Sequence, residues 1–331
     1  MTGLRLLAAA LLLWAASGNC MAKPSWAEYL KSYKLLESGA FTQLEALHAR
    51  STAIKDVDDL GYTEVEKFFD GLVVGAHSIT SQPSVVLEHA RQWVKASPDS
   101  MAAAIVLGRL TIQWLDSWFQ KKPSWAEQER LIADARQQME RFKERGKNHP
   151  EWHSAYIRLM ALNGAGPSQV MESTKLHLQG QSIPGRLYFA DIVQALDIGT
   201  SGAFPQLREL AVLASQKSGQ RDGLAMYAVV YLAAFDFAPN LRTDFFRPEM
   251  TDWRTLDSAL IDLEKHYPAN WQRHYHAALS CQARDKARAS VLFSQLSRPD
   301  VEQSELWKSR LGGEAVYNRC KSWALGRSEP T

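Results

Sequence analysis

Three cysteines and nine histidines are the residues of this 331-residue chain best suited to bond-forming or metal chemistry. Cys20 closes a short leader, whereas Cys281 and Cys320 lie near the C-terminus in segments of helical spacing. Trp271, Ala278 and Cys281 share one helical face, and Val316, Cys320 and Trp323 share another, so both thiols are expected to point inward beside tryptophans. In an oxidising compartment they close a disulfide. A loop of 39 residues then stabilises the fold by up to about 4 kcal/mol, through restriction of the unfolded chain. The alternative is a pair of buried free cysteines packing as small hydrophobes. The pair is not Cys-x-x-Cys and neither thiol has an activating neighbour, so redox catalysis is not indicated.

The histidines do not assemble a ligand set. Pro150 separates His149 from His153 and starts a helix, which leaves His149 outside it. His274 and His276 are two apart and turn away from each other on a helix, with His266 close in sequence. Packing and surface roles are the expectation, with no metal and no cofactor. Asp56, Asp58, Asp59 and Gly61 resemble the opening of a calcium loop. Leu60 at the fifth position and Lys67 at the twelfth offer no oxygen where one is needed, so these acids are assigned instead to the helix start around Glu64 and Glu66. No Gly-x-Ser-x-Gly, Ser-x-x-Lys, His-Glu-x-x-His, phosphate-loop or dinucleotide motif is present, and no catalytic residue is nominated. Glu37-Ser38 and Glu172-Ser173 resemble the glutamate-serine pair of lytic transglycosylases, but the glycine- and glutamine-bearing segments expected downstream are missing.

The elements that position these residues begin with a leader. Arg5, the apolar run Leu6 to Ala16 and the small polar stretch Ser17 to Asn19 form a secretory signal over residues 1–22, with cleavage expected after Ala22. Retention of Cys20 as an acylated lipoprotein anchor is the alternative. No second apolar run is of spanning length, so the mature chain is expected to carry no integral membrane span. Removing Arg5 with the leader lowers the formal charge of +2 by one unit. Without a concentrated basic face, nucleic-acid or anionic-membrane binding is not expected. Arg141, Lys143, Arg145 and Lys147 alternate with Glu140 and Glu144, as on a solvated helix face.

Apolar residues recur at helical intervals throughout, which predicts an all-α protein. Trp26, Leu30, Tyr33 and Leu36 make one face, Gly39 ends that helix, and Phe41, Leu44 and Leu47 open a second. Further helices are expected at 64–74, 85–96, 101–119, 125–145, 152–162, 168–178, 187–196, 204–215, 224–235, 254–266, 271–282, 286–296 and 315–325. The stretch Lys-Pro-Ser-Trp-Ala-Glu occurs at 23–28 and again at 122–127, each a serine-to-glutamate capping box. These are helix starts. The expected organisation is one elongated α-solenoid of antiparallel pairs over 23–325, with lobes at 23–165 and 166–325 and a disordered tail at 326–331.

Helical hairpins with prolines at Pro98, Pro150 and Pro268 resemble degenerate tetratricopeptide repeats; Leu87, Ala90, Trp93, Ala96 and Pro98 look like a second helix, and Leu107-Gly108 like a small-residue contact. Asp252-Trp253, Tyr267-Pro268, Asn270-Trp271, Cys281, Asp285-Lys286-Ala287-Arg288, Tyr317, Arg319-Cys320 and Trp323-Ala324 resemble the pattern of a bacterial family of unknown function. Its members are helical, often exported and tetratricopeptide-like. The tryptophan-glycine segment of that family is represented only by Gly199-Thr200-Ser201-Gly202. The resemblance implies a fold and no activity.

Trp114, Trp118 and Phe119, and the stripe Tyr227, Tyr231 and Phe235, read first as helix-to-helix core. The loop from Pro239 to Pro248, with Arg242, Phe245, Phe246 and Arg247, is the partner-binding candidate, because adjacent phenylalanines beside arginines need cover from this fold or another protein. Together these features point to a periplasmic or secreted, non-catalytic interaction protein that binds an unidentified protein or peptide. The alternatives are a cell-wall or polysaccharide enzyme on a helical superhelix, which requires convergent carboxylates with shifted pKa values, and an immunity or inhibitor protein against a secreted toxin.

Overall fold

Local capping signals set where the helices start. The computed structural model describes residues 26–326 except 55–56, 59, 80–81, 117–122, 181, 240–241, 243–244, 248 and 297–300. The leader with Cys20, the tail beyond 326, Asp56 and Asp59, Trp118 and Phe119, and Pro248 lie outside the described residues. Among the described residues every regular element is a helix, and the one extended pairing is an isolated bridge between Val57 and Thr63. None of these helices is long and apolar enough to cross a membrane.

The chain divides into two compact units, the first ending at Asp197 and the second beginning at Ile198. The first holds α1 (Trp26–Glu37), α2 (Phe41–Ala53), α3 (Glu64–Ile79), α4 (Pro83–Ala96), α5 (Met101–Leu115), α6 (Trp125–Glu140), α7 (Pro150–Leu162), α8 (Pro167–Leu178) and α9 (Arg186–Leu196). Proline opens α4, α7 and α8, where its missing N–H costs no intrahelical bond. Ser100 and Ser124 cap α5 and α6 by accepting from Ala103 and Glu127 amides. Gly39, at φ +70°, ends α1 as its position predicts. α5 is apolar nearly all round and correspondingly buried, packed on α4, α6, α7 and α3. Gly108 brings α5 close to its neighbours, since a Cβ there would meet the Met139 sulfur at 2.8 Å and Leu159 at 3.4 Å.

The expected lobe boundary at 165/166 is displaced to 197/198 because α8 and α9 both pack on α7 and so belong to the first unit. The long helix expected over 125–145 is also interrupted: α6 ends at Glu140, and a single helical turn at 143–146 follows. At that turn Gly146 lies flat under the Trp152 indole, leaving no room for a side chain.

The second unit holds α10 (Phe204–Asp222), α11 (Ala225–Phe237), α12 (Trp253–His266), α13 (Asn270–Gln282), α14 (Lys286–Gln295), α15 (Val301–Arg310) and α16 (Glu314–Ala324). Its centre is α11, whose residues from Ala225 to Phe235 are all buried between α10 and α12. Asp252 caps α12 through the Arg254 amide, and Asp285 caps α14 through the Arg288 amide.

Candidate functional site

The densest chemistry lies in the core of the first unit, where four helices bring four carboxyls round one guanidinium. Thr63 and Glu66 form a reciprocal capping box at the start of α3: the Glu66 amide donates to Thr63 Oγ1 at 3.2 Å, and Glu66 Oε2 accepts from the Thr63 amide at 2.8 Å and its hydroxyl at 3.2 Å. The other oxygen, Oε1, accepts from the Leu187 and Tyr188 amides at 2.9 and 3.3 Å, so the same side chain also caps α9. One carboxyl thus ties two helix starts together. Gly185 makes the approach possible, because a Cβ there would collide with the Glu66 carboxyl.

One turn along α3 lies Asp70, and from α5 comes Arg109. Its Nη2 donates to Asp191 Oδ2 on α9 and to Ser154 Oγ on α7, both at 3.0 Å, and pairs with Glu151 Oε2 at 2.5 Å. Burial pushes the Glu66 carboxyl above its ordinary range, with the nearby Glu151 charge adding and the hydrogen bonds from Thr63 and Tyr188 opposing. Glu151 is likewise raised by burial, against the pull of Arg109. Burial lifts Asp70 to about 6, again with Arg109 opposing. Burial works against the Arg109 charge, but the surrounding acids outweigh it and hold the guanidinium more firmly protonated than usual.

A neutral aromatic layer adjoins this cluster. The Tyr188 hydroxyl and His153 Nδ1 are hydrogen-bonded at 3.1 Å, the opposite ring nitrogen bonds Ser173 Oγ at 3.1 Å, and His177 stacks on His153 at 4.3 Å. Burial and the second imidazole depress His153 to about 3, so it is an uncharged link in the chain. His177 in turn donates from Nδ1 to the Lys147 carbonyl.

Accessibility decides what this arrangement can do. Glu66 and Glu151 are each 1 % exposed, whereas Arg109 and Asp191 are 12 % and 19 % exposed. Two of the acids with raised proton affinity are therefore beyond the reach of a solute. Structurally the cluster is a buried junction of hydrogen bonds and ion pairs that joins α3, α5, α7 and α9.

The residues nominated from sequence fall elsewhere. Cys281 and Cys320 form the disulfide, with Cα atoms 5.8 Å apart, joining α13 to α16. Phe245 is in the core against Tyr231 and Phe235, and Phe246 packs between Phe245 and Trp253. Arg242 lies over the Phe235 ring and donates to the Phe235 carbonyl; only Arg247 of the four is exposed. The phenylalanines thus have their cover from the fold itself. Tyr227, Tyr231 and Phe235 are buried along α11, with Tyr231 donating to the Met250 carbonyl. Trp114 packs partly buried against the first core.

Among the histidines, His149 precedes α7 as expected, His274 Nδ1 accepts from the Trp307 indole, and His276 sits between Glu264 and Asp257 at 2.7 and 2.8 Å. Arg288 pairs with the same Asp257. No group of three or more histidine, cysteine or acidic side chains among the described residues is placed to hold a metal. In the calcium-like stretch Asp58 turns the chain by accepting from the Leu60 and Tyr62 amides, and Lys67 supplies the cation, 3.0 Å from Asp58. Ser173 is engaged with His153, and Ser38 with the Leu35 carbonyl.

The residues of the C-terminal pattern interlock. Trp253 donates to Asp285, Tyr267 to Asp222, and Tyr317 packs on Trp307 and Phe293. The charged cluster of the first unit, by contrast, was not nominated from sequence. Two signals pointed towards it: the Thr63-to-Glu66 box, and Arg109 as the lone charge in the otherwise apolar run of α5. Compared with known proteins, the chain matches no family model, no curated protein and no solved structure.

Proposed function

We propose that this chain is an exported, non-catalytic helical-repeat protein of the bacterial periplasm whose stacked helix pairs bind a protein or peptide. Trp125 carries the reading. It is the first residue of α6 and is steadied by a bond from its Nε1 to Glu129, yet it is 73 % exposed. A large, positioned indole of this kind is the residue type that anchors interfaces. The succession of helical hairpins and the close contact at Gly108 support a degenerate tetratricopeptide-like solenoid, which offers extended recognition surface. The Cys281–Cys320 disulfide supports an oxidising compartment, reached through cleavage of the leader at 1–22 or by lipid attachment at Cys20.

The enzyme reading rests on the convergent carboxyls of the first unit. It is the weaker one, since Glu66 and Glu151 are committed to helix ends and to Arg109 at 1 % exposure. A photo-crosslinking residue at the neighbouring exposed position 126, expressed in the native envelope, tests the interaction. A specific protein or peptide adduct is expected, weakened at least tenfold when Trp125→Ala is introduced into the same chain. A correctly folded, exported protein that yields no adduct above background overturns the proposal.

A further inference from the structure

The charge count in the first unit has a physical consequence. Four acids, Glu66, Asp70, Glu151 and Asp191, act on the Arg109 guanidinium, and even with the buried Arg186 counted the acids outnumber the cations. All four ionised would leave a formal excess of negative charge in a region where Glu66 and Glu151 are nearly inaccessible to water. Like charges at low dielectric do not all ionise, so at least one carboxyl proton stays in the folded cluster near neutrality. Geometry says what that proton protects. Glu66 is the link between the starts of α3 and α9, and Glu151, on α7, is the acid whose charge acts on it.

We propose that this cluster is a proton-dependent latch, in which loss of the retained proton sets Glu66 against Glu151 and releases the start of α9 from α3 and α7. The surrounding elements add few competing charges. α5 contributes Arg109; α7 adds the neutral His153, and Arg158, which is paired with Asp116; α9 adds Tyr188, and Arg186, which lies over Tyr62. α8 presents His177 against His153, α2 presents His48 against Phe68 and Phe69, and Lys67 of α3 is occupied by Asp58 and Glu64. α1 brings Tyr33, and the Arg91–Asp134 pair joins α4 to α6. Arg109 is the cation paired with Glu151 and Asp191.

Burial acts in the same direction on Glu66, Glu151 and Asp70, favouring the protonated form in the fold. Acid therefore tightens the latch and base loosens it. This is independent of the partner-binding reading, which concerns a different surface.

Hydrogen exchange of the full chain between about pH 6 and about pH 9, corrected for intrinsic exchange rates, is the test. Protection of the Leu187 and Tyr188 amides is expected to fall by up to about tenfold per pH unit for one linked proton, while α4 changes less. Glu151→Gln, which mimics the protonated acid, is expected to retain protection at the alkaline end. Asp70→Asn serves the same purpose where Glu151→Gln does not fold. A flat profile in the parent chain, an equal slope across the whole unit, or an unchanged slope in both variants overturns the latch.

Discussion

At the scale of single residues, two glycines do the same work in different units. Gly185 lets Glu66 reach the α9 amides, and Gly223, at φ +57°, lets Asp262 accept from the Leu224 amide at 2.8 Å. In each case a carboxyl from a neighbouring helix satisfies orphan donors that a Cβ would screen. Gly185→Ala is expected to cost about 2 to 3 kcal/mol, because it separates a buried carboxyl from its hydrogen bonds. Gly223→Ala adds backbone strain of about 1 kcal/mol to a similar loss. Gly219 makes the contrast: it is helical, a Cβ there meets nothing within 4 Å, and Gly219→Ala is expected to stabilise by about 0.5 to 1 kcal/mol. Urea denaturation of the three variants checks the order. A harmless Gly185→Ala removes the role assigned to Glu66.

At the scale of elements, the disulfide fastens α13 to α16, while α16 otherwise rests on α14 and α15. Replacing both cysteines by alanine is expected to lower stability by up to about 4 kcal/mol and to raise hydrogen exchange in α13 to α16, leaving α1 to α9 unchanged. Exchange that rises equally in α1 to α9 contradicts this. The sequence made this pairing legible because each thiol lies on an apolar face with tryptophan neighbours. It also showed most helix positions, since their apolar spacing and caps are local. It missed α15, where Leu306 and Trp307 are buried but polar residues dominate, and it ended α10 at 215, although the helix runs to Asp222. The Glu66 cluster was beyond reach for another reason: Glu66 and the Leu187 amide that donates to it are 121 residues apart, and no periodicity encodes that meeting. That Phe245 and Phe246 take their cover from this fold was not legible either, because adjacent phenylalanines in a loop give no sign of which side of the chain the core lies on.

At the scale of the molecule, the two units are expected to answer pH differently. In the first, Glu66, Glu151 and Asp70 hold protons more tightly in the fold than in the unfolded chain, so their effect is stability that falls as pH rises above the ordinary carboxylate range. His153, depressed to about 3, and His48, lowered by burial, act oppositely: the unfolded chain takes their protons first, and stability is lost as pH falls below about 6.5. Up to three carboxyls against two imidazoles still leave the alkaline limb steeper, and the limbs cross in the carboxylate range, about pH 4 to 5. In the second unit His276 is raised: burial opposes its charge, but Asp257 and Glu264 outweigh it. Asp257 is lowered: burial again opposes, but His276 and Arg288 prevail. The stabilisation from Asp257 is lost only as pH falls below the ordinary carboxylate value, and that from His276 only as pH rises through its elevated folded value. Between those limits the pair is intact. From about pH 5 to about pH 6.5 the first unit is therefore expected to lose stability while the second stays level, which exchange of α9 against α13 in the same sample resolves. Parallel behaviour of the two helices across that window, or a first unit most stable at about pH 8, is incompatible with protons being held round Arg109.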